Sequence, residues 1–155
     1  MQQASMQHSL EKRSSRPAHM PTRVGRPVPT VVLADDSIFQ RMMTRTLLEA
    51  AGYQVLEAGD GREVIELVKR SSPDLVVMDI AMPAMDGVSA ARRIRNGAPA
   101  IARVPIVFLS ALAAPGDRDT ALAAGGNDYL VKPISDRELL AVVRRYARGP
   151  SGQDS

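Results

Sequence analysis

Three aspartates, a serine and a lysine are the residues of this chain best suited to do chemistry together: Asp35, Asp36, Asp79, Ser110 and Lys132. Clustered carboxylates repel one another unless a cation intervenes. A hard divalent ion such as Mg2+, which takes a few carboxylates, a carbonyl and retained waters, suits such a set. A carboxylate held ionised beside that ion can accept a phosphoryl group. Metal and ammonium would then neutralise the transferring oxygens, and a hydroxyl would bind a further one. Asp79 is the central carboxylate and the candidate acyl-phosphate position. Taken singly, an acidic pair caps a helix, a serine fills a turn and a lysine is a surface charge. Only their placement together points to chemistry.

An alternation of strand and helix must bring them together. Residues 30–34 (TVVLA) form a β-branched, apolar run ending on Asp35 and Asp36. Ser37 is placed as a helix N-cap, and residues 38–50 carry apolar side chains at helical spacing before Gly52. Residues 53–58, 74–79, 104–109 and 128–131 read as four further strands. Helices are expected over 61–69, 87–95, 116–123 and 135–147, the last with Leu139, Leu140, Val142, Val143 and Tyr146 on one side. The runs VVL, LVV and IVF are apolar on both faces, as in strands buried between two helical layers. Five strand–helix units imply a parallel sheet whose right-handed crossovers set every strand's C-terminal end on one edge. On that edge Asp35 and Asp36 follow the first strand and Asp79 ends the third, while Ser110 and Lys132 follow the fourth and fifth.

Composition removes competing classes. A chain of 155 residues, 45% of them hydrophobic, suits one domain in the usual range of about 100–200 residues. With no cysteine there is no disulfide framework, thiolate catalysis or sulfur-bound zinc. Five aromatic residues are too few for a nucleic-acid stacking platform. His8 and His19 both lie in a polar N-terminal stretch, away from any candidate site. No apolar run approaches the roughly 20 residues that span a bilayer, and there is no secretory core, so a cytoplasmic protein is expected. The net charge of +3 is uneven: residues 1–27 carry +4 and residues 28–155 carry −1. Residues 1–27 are therefore read as a disordered basic extension with no dedicated nucleic-acid or membrane ligand, 28–148 as the domain and 149–155 as a disordered tail.

The stretches VLADDS (32–37), MDIAMPAMDG (78–87), FLSA (108–111) and DYLVKPI (128–134) occur in that order, each at an expected strand end. Together they resemble the receiver domain of two-component response regulators over residues 30–147. The resemblance implies a stand-alone receiver with a flavodoxin-like (CheY-like) α/β fold: a doubly wound sheet of five parallel strands, order 2-1-3-4-5, with helices on both faces. It further implies that Asp79 is the phosphoacceptor and that Asp36 binds Mg2+ directly, with Asp35 assisting largely through water. The Ala81 backbone carbonyl is implied as a third protein ligand, and Mn2+ as a substitute ion. The Ser110 hydroxyl would contact the phosphoryl group, Lys132 would pair with phosphoaspartate, and Tyr129 would be a rotameric switch coupled to Ser110. Pro83, Asp86 and Gly87 match the turn shaping the site loop, and Pro133 the proline that follows a cis bond.

The function expected on this basis is phosphoryl transfer from a sensor histidine kinase or histidine phosphotransfer protein to Asp79, with Mg2+ required. Ser110 and Lys132 would move toward the new oxygens, drawing the next loop inward, and Tyr129 would follow into the vacated space. A downstream protein would read the face of the fourth helix, fifth strand and fifth helix, the receiver being a monomer or a weak phosphorylation-dependent dimer. No enzymatic turnover is expected beyond autocatalytic phosphotransfer and autodephosphorylation. Ala81 and Leu112 are apolar and cannot orient an attacking water, so self-dephosphorylation should be slow. The runner-up is a receiver of a hybrid kinase or phosphorelay that passes phosphate on to a histidine phosphotransfer protein. A phosphatase working through an aspartyl-phosphate would carry a second acid where this chain has Ala81. A third alternative is a DNA-associated regulator acting through the basic extension. Met78, Met82 and Met85 are read as flexible filling beneath a loop.

Overall fold

The structure is a computed structural model and describes residues 28–147, so the expectations for residues 1–27 and for the tail 149–155 lie outside the described residues. Strands β1 (Thr30–Ala34), β2 (Gln54–Ala58), β3 (Leu75–Asp79), β4 (Ile106–Ser110) and β5 (Asp128–Val131) form one parallel sheet in the order β2-β1-β3-β4-β5. The helices are α1 (Ile38–Ala50), α2 (Gly61–Ser71), α3 (Gly87–Arg95), α4 (Pro99–Ala102), α5 (Asp117–Ala123) and α6 (Asp136–Tyr146). The helix α4 corrects the expected count of five. It is a single turn opened by Pro99, too short for apolar periodicity to register. The expected fourth and fifth helices are thus α5 and α6. The fourth strand starts at Ile106 rather than 104, because Pro105 has no N–H to give the ladder, and Ser110 becomes its last residue.

Side-chain alternation divides the core between two faces. Val32, Ala34, Val76, Met78, Ile106 and Phe108 pack toward α2, α3 and α5 through Val64, Val68, Ala90, Ile94 and Ala121. Val31, Leu33, Leu75, Val77, Val107 and Leu109 pack toward α1 and α6 through Leu48, Leu139, Val142 and Val143. Met82 and Met85 lie against the first of these clusters beneath the loop after β3, as gap-filling methionines should. Arg95 clasps the far end of the sheet: its guanidinium donates to the carbonyls of Gly125, Ala102 and Val104 and to Asn127 Oδ1, tying α3 to α4 and to the α5–β5 turn.

Side-chain caps start the helices nearest the strand ends. Ser37, Asp60, Asp86 and Ser135 each accept a bond from a backbone N–H in the first turn of the following helix. Asp86 Oδ1 accepts from Ser89 N at 2.8 Å. Asp86→Ala should therefore lower unfolding stability by about 1 kcal/mol, seen as a lower urea midpoint at unchanged slope. An unchanged midpoint would show that α3 does not depend on this cap.

Candidate functional site

Strand register assembles the polar residues. Ala34 pairs with Met78, so Asp35 and Asp79 emerge side by side from β1 and β3. Asp79 pairs with Leu109, which sets Ser110 one residue further out, and Ser110 pairs with Val131, which sets Lys132 just beyond it. The Lys132 N–H donates to the Ser110 carbonyl at 2.7 Å, locking the two together. Lys132 Nζ then lies 3.2 Å from Asp79 Oδ2, 3.4 Å from Asp35 Oδ2 and 3.1 Å from Gln40 Oε1. The bond between Lys132 and Pro133 is cis, as the resemblance implies.

Asp35, Asp36 and Asp79 each offer a carboxylate oxygen, and these oxygens all lie within 4.8 Å of one another. Among the described residues this is the one such cluster. Asp35 and Asp79 are buried, whereas Asp36 is exposed. An all-oxygen, anionic donor set with one open side fits a hard divalent cation that keeps part of its water. Burial pushes the Asp79 carboxyl above the ordinary aspartate range; Lys132 pulls it back, and Asp35 pushes it up again. For Lys132, burial alone would lower the ammonium, but the Asp79 and Asp35 carboxylates outweigh it and the net direction is upward. One ammonium is thus shared between two carboxylates, and the more central carboxylate remains under-compensated.

The loop residues act through backbone geometry. A Cβ on Gly87 would lie 2.5 Å from the Asp79 carbonyl oxygen, so the bare glycine is what lets α3 begin against the end of β3. Asp86 caps that helix, and Ala81 and Pro83 are exposed on the loop between. Ser110 is buried, and its Oγ accepts from Leu112 N at 2.9 Å, turning the chain away from β4. Tyr129 is already inward: it is 5% exposed, and its hydroxyl donates to the Leu112 carbonyl at 2.6 Å. The ring thus occupies this inward position in the structure as it stands. The chain after Ser110 runs Ala-Leu-Ala-Ala, leaving room for the ring beneath it and supplying an acceptor for the phenol.

Three residues of the site escape sequence reasoning. Gln40, one turn into α1, reaches Lys132. Arg41 donates to the Asp35 carbonyl and, from Nε at 2.9 Å, to Glu57 Oε1 on β2. Arg45 bonds the other oxygen of Glu57. For Gln40 and Arg41 the available signal was their position, four to six residues after an acidic pair that opens a helix, but nothing in the spacing indicates which way they point; Arg45, a turn further on, carried no signal.

A family model described as "Response regulator receiver domain" matches residues 31–144. The chain belongs to this receiver family. A gliding motility regulatory protein of Myxococcus xanthus is 43% identical to the receiver over 111 residues, which are 72% of this chain and 14% of that protein. "Probable transcriptional regulator ycf27" of Porphyridium aerugineum is 39% identical over 118 residues, 76% of this chain and 48% of its own length. The receiver therefore spans about half, or less, of these relatives. The receiver domain of a Pseudomonas aeruginosa sensor histidine kinase, which has a magnesium ion coordinated in its active site cleft, superposes with a TM-score of 0.72 at 34% identity, covering 79% of this chain and 100% of that one. The Vibrio cholerae chemotaxis protein CheY4 gives 0.73 at 31% identity, covering 77% and 99%. Receivers are signalling domains of two-component systems, and the five-stranded order of the sheet is theirs. No helix among the described residues is long and apolar enough to cross a membrane.

Proposed function

We propose that Asp79 accepts a phosphoryl group from a phosphohistidine on a partner kinase or phosphotransfer protein, and that the receiver signals through the surface this remodels. The observation that carries the reading is one juxtaposition: three carboxylates within 4.8 Å of one another and a lysine ammonium 3.2 Å from the central one. Asp35, Asp36, Asp79 and the Ala81 carbonyl would hold a Mg2+ ion (or Mn2+ in its place), which when bound neutralises phosphoryl oxygens. An Asp79 Oδ forms the new P–O bond as the P–N bond to the donor imidazole breaks, and the imidazole leaves with that electron pair. Lys132 transfers its pairing toward the new oxygens, and the Ser110 hydroxyl exchanges its bond from Leu112 N for one to phosphate. That exchange frees the loop after β4, to which the Tyr129 hydroxyl is tied, and so biases the α5–β5–α6 face. Leu112 and Val131 are exposed on that side, ready for a protein partner. On the opposite side of the site mouth, Ile38, Phe39, Met42 and Met43 present an exposed apolar turn of α1 to an incoming donor.

With radiolabelled acetyl phosphate and Mg2+, the wild-type chain should label and Asp79→Asn should lose the label entirely; Mg2+-dependent labelling of the variant would overturn the assignment. The apolar side chains of Ala81 and Leu112 cannot orient an attacking water by hydrogen bonding, so the labelled protein should decay slowly. Decay within seconds in Mg2+ would contradict that. The likeness to a histidine-kinase receiver supports a second reading, in which Asp79 passes phosphate on to a phosphotransfer histidine. Transfer of label from Asp79 to such a protein separates the two.

A further inference from the structure

Besides the Lys132 ammonium 3.4 Å from its Oδ2, Asp35 is held from three directions. Its N–H donates to the Ala58 carbonyl at 3.2 Å, continuing the β1–β2 ladder one residue past the strands. Its Oδ1 accepts from Ser37 N at 2.9 Å, closing a turn into α1. Its carbonyl accepts from the Arg41 guanidinium. This third bond differs in kind, because the carbonyl belongs to the peptide that joins Asp35 to Asp36. Holding that carbonyl fixes the ψ of Asp35 and the φ of Asp36, and with them the placement of the two acidic residues relative to each other beside Asp79. Arg41 is itself fixed: its side chain is only 17% exposed, and its Nε is bonded to Glu57 in the middle of the α1–β2 contact. Burial would raise the Glu57 carboxyl, but the bonds from Arg41 and Arg45 outweigh it and hold it below the ordinary range, so Glu57 is a committed anion.

We infer that Arg41, anchored by Glu57, is a positioning residue for the cation: it fixes the Asp35–Asp36 peptide and so sets the affinity of the acidic cluster for Mg2+. The inference rests on the reading of Asp35 and Asp36 as cation ligands. Groups of this kind, which orient ligands without touching the metal, typically change metal affinity by about 10- to 100-fold when removed.

Electrostatics alone makes the opposite prediction for the simplest variant. Losing the guanidinium leaves Glu57 paired with Arg45 alone, adds net negative charge near the site and draws Mg2+ more strongly. The decisive variant is therefore Arg41→Met/Glu57→Gln, which removes the pair at constant net charge. Mg2+ alone, titrated calorimetrically into the metal-free chain well below its melting temperature in EDTA, should bind this variant about 10- to 100-fold more weakly than wild type. Binding within twofold of wild type would overturn the inference. Arg145→Met/Asp128→Asn removes a pair between α6 and β5 (3.4 Å apart) that touches neither Arg41, Glu57 nor Asp35, and should leave affinity within twofold. An equal loss there would reassign the effect to helix packing and also overturn the inference. If the first variant does not fold, Arg41→Lys carries the test. It keeps the charge but lacks the planar fork that lets separate guanidinium nitrogens reach Glu57 and the carbonyl at once, so affinity should fall severalfold; an unchanged affinity refutes the role. Absence of Mg2+ binding by the wild-type chain would instead sink the reading of the acidic cluster itself.

Discussion

Phe108→Ala should cost about 3–5 kcal/mol of unfolding free energy, the range for truncating a fully buried phenylalanine. Phe108 has no exposed surface and sits at the centre of β4, paired with Met78 on one side and Tyr129 on the other. Its ring lies so close to the α5–β5 turn that a Cβ on Gly126 would come within 2.5 Å of ring carbon Cε2. The backbone of that turn is pinned by bonds from Gly126 N to the Ala121 carbonyl and from Asn127 N to the Ile106 carbonyl, which resists its collapse into the vacated space and argues for the upper half of the range. Because whole domains are stable by only about 5–15 kcal/mol, the variant should be marginal at room temperature. Urea denaturation gives the value from the midpoint at constant slope. A cost below about 1 kcal/mol would show that the pocket closes and that the core here is not close-packed. The same geometry makes Gly126→Ala destabilising by roughly 1–3 kcal/mol through overpacking. The two changes should couple, since the ring that the new methyl would strike is the one the first substitution removes. Additive costs would argue against the contact.

What could be read in advance, and what could not, follows from the range of the forces involved. Apolar runs such as VVL and IVF are local, and each announces a buried strand by composition alone. The residue after each run then falls on one edge by topology, which is why Asp35, Asp79, Ser110 and Lys132 were legible as a set. Ser37 was legible because a cap is a short-range bond between a side chain and the first turn. By contrast α4 is one turn long and buries only Ile101, so no periodicity marks it. The partners of Gln40, Arg41 and Glu57 depend on how α1 is rotated against β1 and β2, and packing across the whole face decides that rotation. The inward position of Tyr129 depends on the space beneath a loop whose path is fixed by the Ser110 Oγ bond to Leu112 N, which is again a tertiary fact. Motif spacing thus located the reacting groups, while the residues that aim them emerged only from the packed structure.

Asp79→Asn should raise unfolding stability at pH 7 in EDTA by roughly 1–2 kcal/mol, within the range of single stabilising substitutions and characteristic of residues kept for function rather than stability. The folded environment moves the Asp79 carboxyl up from its ordinary value of 3.8, first through burial, with Asp35 adding to it and Lys132 opposing. A carboxyl with a folded pKa above its unfolded one binds a proton more tightly when folded. Its penalty is thus absent below about pH 3.8, grows as pH rises through the folded pKa, and is complete above it. The gain from asparagine should follow the same course, present at pH 7 and vanishing as pH falls toward 3.8. Lys132 does not blur this window. Its pKa is shifted upward from 10.5, so its stabilising contribution is fully present below that value and is lost only at higher pH. Nor does the substitution strand the ammonium, which retains Asp35 and Gln40 as partners. Thermal melts of both proteins between pH 3.5 and 8 measure the difference directly. Saturating Mg2+ should narrow it at pH 7, because a cation bound only by the folded state stabilises the wild-type cluster and binds the variant more weakly. A variant less stable than wild type in EDTA at pH 7 would mean that the bond from Lys132 outweighs burial at Asp79, and that the acidic cluster is not the repulsive arrangement a cation site requires.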